Sequence, residues 1–177
     1  MSDEPRSSSH DGLTPGPVVI RPAAPDDDRV LAVLDAESWP PELWVTPPQD
    51  ASLPFFTQWR RPEDVVVAEV DGHVVGYARV ARHMRVVSNE HVLHFDALAV
   101  SPSARGRGIA SLLIEAAIEE ARRRGVRKLG LRALSTNSVA LTLYDRHGFV
   151  EEGRLIDEIR LPDGSYVDDV WMALFFR

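Results

Sequence analysis

The chain has 177 residues, a formal charge of −7, 44% hydrophobic and 27% charged residues, and no cysteine; that is enough for one domain with its own core and too little for two. Disulfides, thiolate metal sites and a cysteine nucleophile are excluded, and the acidic balance argues against nucleic-acid binding, which depends on neutralising phosphates. No apolar run approaches the roughly 20 residues of a membrane span, and the first 17 residues hold no apolar signal core, so the expected setting is the cytoplasm, away from membranes.

Residues 1–16 are Ser, Pro, Gly and charge and read as a disordered tail ahead of a single domain over 17–177. Val18 to Arg21 is a short strand closed by Pro22. Pro25 and Asp26 to Asp28 then suit a helix start, with Val30, Leu31, Val33 and Leu34 as its apolar stripe. Between Ser38 and Arg61, prolines 40, 41, 47, 48 and 54 interrupt the pattern, and Trp39, Trp44, Phe55, Phe56 and Trp59 gather there. A second helix near Asp50 to Arg60 is expected, and the aromatics read either as core or as the wall of an acceptor pocket. Asp64 to Val70 and His73 to Ala81 are strands joined at Asp71-Gly72, a hairpin dipeptide.

A polar stretch, Arg82 to Glu90, leads to a fourth strand, Val92 to Val100. That strand breaks at Ser101-Pro102, passes through Arg105-Gly106-Arg107-Gly108 and becomes a helix at Ile109. Strand, glycine loop and helix make an anion-binding geometry, because glycines admit a ligand close to the backbone and the first N–H groups of a helix point at it. The helix runs to Arg124, with Leu112, Leu113, Ala116, Ala117 and Ile118 as its buried side and Gly125 as its stop. Arg122 to Arg124, with Arg127 and Lys128, read as a positive, solvent-facing helix end. Lys128 to Leu134 is a fifth strand, Ser138 to Arg146 a short helix, and Phe149 to Leu161 with Tyr166 to Phe176 a closing hairpin through Asp163-Gly164.

The loop lacks the Gly-Lys-Ser/Thr ending of a Walker pattern and the G-x-G-x-x-G of a dinucleotide site. Taken alone it is also compatible with an Arg/Gly-rich surface turn. What it matches is R-x-x-G-x-A, at Arg105, Gly108 and Ala110, and a second pattern follows in register: N-x-x-A-x-x-L-Y-x-x-x-G-F, at Asn137, Ala140, Leu143, Tyr144, Gly148 and Phe149. With both in the correct order, the chain resembles the GCN5-related N-acetyltransferases (GNAT superfamily) over residues 18–176.

The resemblance implies an α/β fold: a central mixed, mostly antiparallel sheet of about seven strands, helices on both faces, and a V-shaped cleft between strands four and five that takes acetyl-CoA. It implies that backbone groups of Leu98, Ala99 and Val100 meet the pantetheine amides as an added strand would. The N–H groups of Arg105, Gly106, Arg107, Gly108, Ile109 and Ala110 would hold the pyrophosphate, with charge added by Arg105 and Arg107. Asn137 would bond toward the pantetheine arm, and Tyr144 would protonate the departing thiolate, as a phenol of pKa about 10 can.

An amine acceptor must lose a proton before attack. Many family members place a glutamate for this where the chain has His94, a residue with an unperturbed pKa of about 6.5. Asp96, two residues on and on the same strand face, would orient His94 or relay through water. His94 reads equally as a buried structural histidine. No metal is implied, and with no thiol for an acyl-enzyme, direct transfer in a ternary complex is expected.

Arg132 stands where protein N-terminal acetylases of the ribosomal-protein-alanine type carry a glutamate. The closing segment, with Glu152-Gly153-Arg154, Asp163 to Asp168 and Met172, looks like members acting on small amines. The expected acceptor is therefore a small-molecule primary amine. The alternatives are a protein or peptide N-terminus, and a non-catalytic acyl-CoA-binding module. The long C-terminal strands offer an edge that could pair in a homodimer.

Overall fold

The computed structural model describes residues 16–39, 50–84 and 86–177. The expectations for the tail up to residue 15, and for Pro40, Pro41, Trp44, Pro47 and Pro48, lie outside the described residues.

Seven strands form one sheet: β1 (Val18–Pro22), β2 (Val65–Val70), β3 (His73–Ala81), β4 (Val92–Val100), β5 (Lys128–Leu134), β6 (Val150–Arg160) and β7 (Tyr166–Phe175). Their spatial order is β1-β2-β3-β4-β5-β7-β6, and every neighbouring pair is antiparallel except β4 and β5. Among the described residues three α-helices complete the frame: α1 (Asp28–Ser38), α2 (Ile109–Arg123) and α3 (Ser138–Arg146). Among the described residues no helix is long and apolar enough to cross a membrane.

The sheet separates two cores. On one face α2 and α3 cover Ala68, Ala78, Val80, Leu93, Phe95 and Leu129; on the other, α1 and Phe55 cover Val65, Val67, Tyr77 and Ala99. The expected fold class, a mostly antiparallel sheet with helices on both faces, is the one found. The buried stripe of α2 is Ile109, Leu113, Ile114, Ala117, Ile118 and Ala121. Leu112 is exposed instead of buried, because the stripe runs one residue later than the sequence pattern suggested. In α1 the same correction applies to Val30, which is exposed, while Leu31, Ala32, Leu34 and Asp35 are buried.

The helix expected over Asp50 to Arg60 is absent. Turns and a Thr57–Arg60 bridge occupy that stretch. Asp50 Oδ1 accepts the Ser52 N–H at 2.8 Å, a local bond that competes with helix formation, and Pro54 cannot donate. The segment is instead pinned to α1, where Asp28 Oδ1 accepts the Phe56 N–H at 2.7 Å.

Two irregularities prepare the cleft. The first is a bulge in β4, where Arg79 pairs with Ala97 and Val80 with Phe95, so that Asp96 is the extra residue. It reverses the alternation of the strand: Leu93 and Phe95 face the α2 core before it, and Leu98 and Val100 after it, while Ala97 and Ala99 face α1. The second is the short parallel ladder of β4 and β5, which pairs Val92 with Lys128 through Phe95 with Leu131 and goes no further. Beyond that point the two strands part.

Close packing of α2 on the sheet depends on Gly76. A Cβ there would stand 3.0 Å from the Ala99 carbonyl oxygen, 3.1 Å from Leu113 Cδ1 and 3.4 Å from Ile109 Cγ2. Gly76→Ala is expected to lower stability by about 1–3 kcal/mol, the usual cost of overpacking. A chemical-denaturation midpoint that does not move would show that α2 rides over the sheet more loosely.

Candidate active site

Where β4 and β5 separate, the sheet opens into a cavity of about 530 Å³, lined among others by His94 to Leu98 of β4, Leu131 to Leu134 of β5, and Asn137 and Tyr144 of α3. Such a volume lies within the ~300–1,000 Å³ of small-molecule sites. From Leu98 to Val100, β4 is bonded to Ala78, Tyr77 and Gly76 of β3 on one edge, while its ladder to β5 has already ended at Phe95. Among the described residues no strand pairs with the other edge of these three, where the Val100 carbonyl accepts from Arg105, and that edge is open to an extended ligand.

At the end of β4 the chain turns through Pro102–Ala104 into the glycine loop. Gly106 and Gly108 have φ of 77° and 75°, the left-handed region that L side chains avoid. A Cβ on either would meet no heavy atom within 4 Å, so both glycines border open space. The first helical bond of α2 runs from the Leu112 N–H to the Gly108 carbonyl at 3.2 Å, which leaves the N–H groups of Ile109, Ala110 and Ser111 ahead of it. This is an anion cradle in form. Ile109 itself is buried in the core, so only its backbone reaches the loop.

The two arginines are engaged. Arg105 donates to the carbonyls of Ser38 (2.8 Å) and Val100 (3.2 Å), tying the loop to the end of α1, and Arg107 donates to the Gly16 carbonyl at 3.2 Å. Either would have to exchange such a bond to meet a phosphate.

Asn137 has a role the sequence pattern did not disclose. It is the N-cap of α3, its Oδ1 accepting the Ala140 N–H at 3.1 Å. Asn137 also lines the cavity. Two turns further along α3, Tyr144 is buried edge-on against Phe95 (6.0 Å between ring centroids) and Phe149 (5.9 Å). Burial pushes its phenol up to about 12.

On the opposite wall the structure corrects the expected pairing of Asp96 with His94. Asp96 Oδ2 accepts from Arg79 Nη1 at 3.0 Å, and Asp96 Oδ1 meets Nε2 of His83. His83, from the polar stretch after β3, also lies flat on His94, with ring centroids 3.9 Å apart and planes within 3°. On its far side His94 packs over Gly130, where a Cβ would come within 3.3 Å of Cδ2. Its Nδ1 is buried without a partner. Burial, and then the neighbouring His83, hold the His94 imidazole below its ordinary pKa.

Arg132 also lines the cavity and is bound to Asp169, Nε to Oδ2 at 2.7 Å, over the Trp171 ring. Nearby, Asp35 is a buried hub. Its carboxylate accepts from Tyr77 (2.5 Å), Trp39 (3.0 Å) and Arg60 (3.4 Å), fixing Trp39 at the cavity's edge. Of the clustered aromatics, Phe55 is core, Trp39 faces the cavity and Trp59 is exposed. The basic cluster is less solvent-facing than expected: Arg124 bonds Glu120, Asp64 and the Glu63 carbonyl.

A mycothiol acetyltransferase of Jonesia denitrificans is 28% identical over 139 residues, covering 77% of this chain and 43% of that protein. The chain spans between 43% and 54% of the length of the first sequence relatives. Among solved structures, a ribosomal-protein-alanine N-acetyltransferase from Brucella melitensis superposes with a TM-score of 0.73 at 26% identity, covering 89% of this chain and 99% of that one. A GNAT superfamily phosphinothricin acetyltransferase from Sinorhizobium meliloti, solved with acetyl-CoA, shares the fold at a TM-score of 0.75 and 19% identity, over 90% of this chain and 88% of that one. The profile of the Acetyltransferase (GNAT) family matches residues 30–149, and the chain belongs to that family.

Proposed function

We propose that the chain is an acetyl-CoA-dependent N-acetyltransferase that passes the acetyl group to a primary amine of a small molecule by direct attack. The observation that carries this reading is the parting of β4 and β5 after Phe95 and Leu131, which joins an open strand edge, a glycine-loop helix start and a buried tyrosine in one cleft. The pantetheine arm would lie along Leu98 to Val100, the pyrophosphate on the N–H groups from Arg105 to Ala110, and the Asn137 amide would donate toward the arm. Tyr144 would donate a hydrogen bond to the leaving sulfur.

The amine loses one proton to a base, its lone pair forms the C–N bond, and collapse of the adduct breaks the C–S bond with the electron pair leaving on sulfur. The second nitrogen proton then neutralises the thiolate. Membership of the family and the acetyl-CoA bound to the Sinorhizobium meliloti neighbour support the donor. The Arg132–Asp169 pair on the acceptor wall favours a small amine over a peptide N-terminus, and the edge strand β6, exposed along most of its length, is the surface through which a homodimer would form.

The test is a panel of small amines and peptides with acetyl-CoA, scored for free CoA. Release above background hydrolysis with small amines is the expected result. Release with peptides alone would transfer the reading to a protein N-terminus, and none with either, while acetyl-CoA binds, would make the chain a binding module.

A further inference from the structure

Resting on the reading of the cleft as an acetyl-transfer site, we propose that His83, held by Asp96, takes the proton of the acceptor amine, while His94 beneath it stays neutral as a packing platform. Three observations carry this. A carboxylate can only accept, so the contact of Asp96 Oδ1 with Nε2 places a hydrogen on Nε2 and leaves the lone pair of a neutral His83 on Nδ1. Asp96 is itself fixed by Arg79, whose other Nη donates to the Trp59 carbonyl at 2.7 Å, so the ring that Asp96 orients has a defined position. The His83 side chain is 43% exposed and lines the cavity, whereas His94 is covered by His83 on one face and Gly130 on the other, with Nδ1 buried.

Two rings 3.9 Å apart do not both carry charge at ordinary pH, since like charges so close repel strongly. Of the two rings, His83 is the one with a carboxylate on one nitrogen and with access to the cavity. Among the described residues, the charged groups around the pair are Asp96 and Arg79 beside His83, and the Lys128–Glu152 ion pair near His94. In the reaction the ammonium passes one proton to Nδ1, giving an imidazolium. The freed lone pair attacks the thioester carbonyl, and the imidazolium returns its proton to water after the thiolate has left. Asp96 and Arg79 are positioning residues in this scheme.

The experiment has two independent arms on the full chain. Long-range ¹H–¹⁵N spectra of the imidazoles across pH should show neutral His83 with its hydrogen on Nε2, that preference lost in Asp96→Asn, and His94 still neutral where His83 has taken its proton. His83 with its hydrogen on Nδ1, or His94 protonating first, would overturn the proposal. In the kinetic arm, with an amine that the wild type consumes, His83→Gln keeps a donor for Asp96 but has no base. It should lower kcat/KM by about 10²-fold or more and remove the acidic limb of the pH profile, with the thermal shift given by acetyl-CoA retained. A Gln variant of near wild-type rate and unchanged limb would make His83 a structural support only. Loss of the acetyl-CoA shift in the wild type would instead sink the enzyme reading. If no amine is consumed, the spectra decide alone.

Discussion

Tyr144→Phe is expected to lower turnover by about 10²-fold or more, the scale of one lost hydrogen-bond donor to charge that develops in the transition state, with acetyl-CoA affinity unchanged and thermal stability little changed. Each part follows from where the phenol sits. It is packed against Phe95 and Phe149, and desolvation alone pushes its pKa up to about 12. Phe keeps the ring contacts and removes only the hydroxyl of a residue that lines the cavity. Against a thiol of pKa about 8.5, full transfer from such a phenol is uphill by roughly 3 units. Tyr144 is thus better suited to stabilising the departing sulfur by a hydrogen bond than to surrendering its proton outright. Turnover that does not change in the variant would remove Tyr144 from the chemistry, and a fall in melting temperature would reveal a structural partner.

The second large effect belongs to Gly108. At 100 times its Kd a ligand adds about 2.7 kcal/mol to stability, which for a domain of this size means a rise of roughly 5–10 °C. The wild type should show that rise with acetyl-CoA and with CoA, and Gly108→Leu should show none. The side chain has room, because no heavy atom stands within 4 Å of its Cβ, but that room is the cradle itself, and a φ of 75° strains any L residue there. The comparison to make is the ligand-induced shift within each protein, since the strain lowers the variant's baseline as well. A rise that survives the leucine would place the phosphate elsewhere, and a longer acyl-CoA in the same titration tests acyl length.

Much of this architecture was readable in advance, for reasons that differ by element. The strands β3, β4 and β5 and the helix α3 coincide with their expected bounds, because turn residues such as Asp71-Gly72 and Gly148 punctuate them sharply. The cleft was legible only through the two patterns around Gly108 and Tyr144. What was not legible depends on distant contacts. Nothing in the period of α1 says that Asp35 faces inward to meet Tyr77, a residue 42 positions away. His83 lay in a stretch without periodicity, and its tie to Asp96 exists only once β3 and β4 are side by side. The Asp50 to Arg60 stretch held helix-compatible residues, yet Asp50 and Pro54 favoured turns. Asn137 could have been read as a cap from its place just before α3.

The bulge at Asp96 gives β4 two reading frames. Upstream of it, odd-numbered residues belong to the α2 core, and downstream, even-numbered ones do. Evolution can exchange side chains along this strand one at a time, since each exchange keeps the phase. Drawing Asp96 into the regular pleat would carry Leu98 and Val100 across to the α1 side and Ala97 and Ala99 to the α2 side, exchanging large residues for small ones in two cores at once, whereas deleting Asp96 would leave each of these side chains on its own side. The phase of the strand therefore depends on Asp96 staying outside the pleat, where its bonds to Arg79 and His83 hold it.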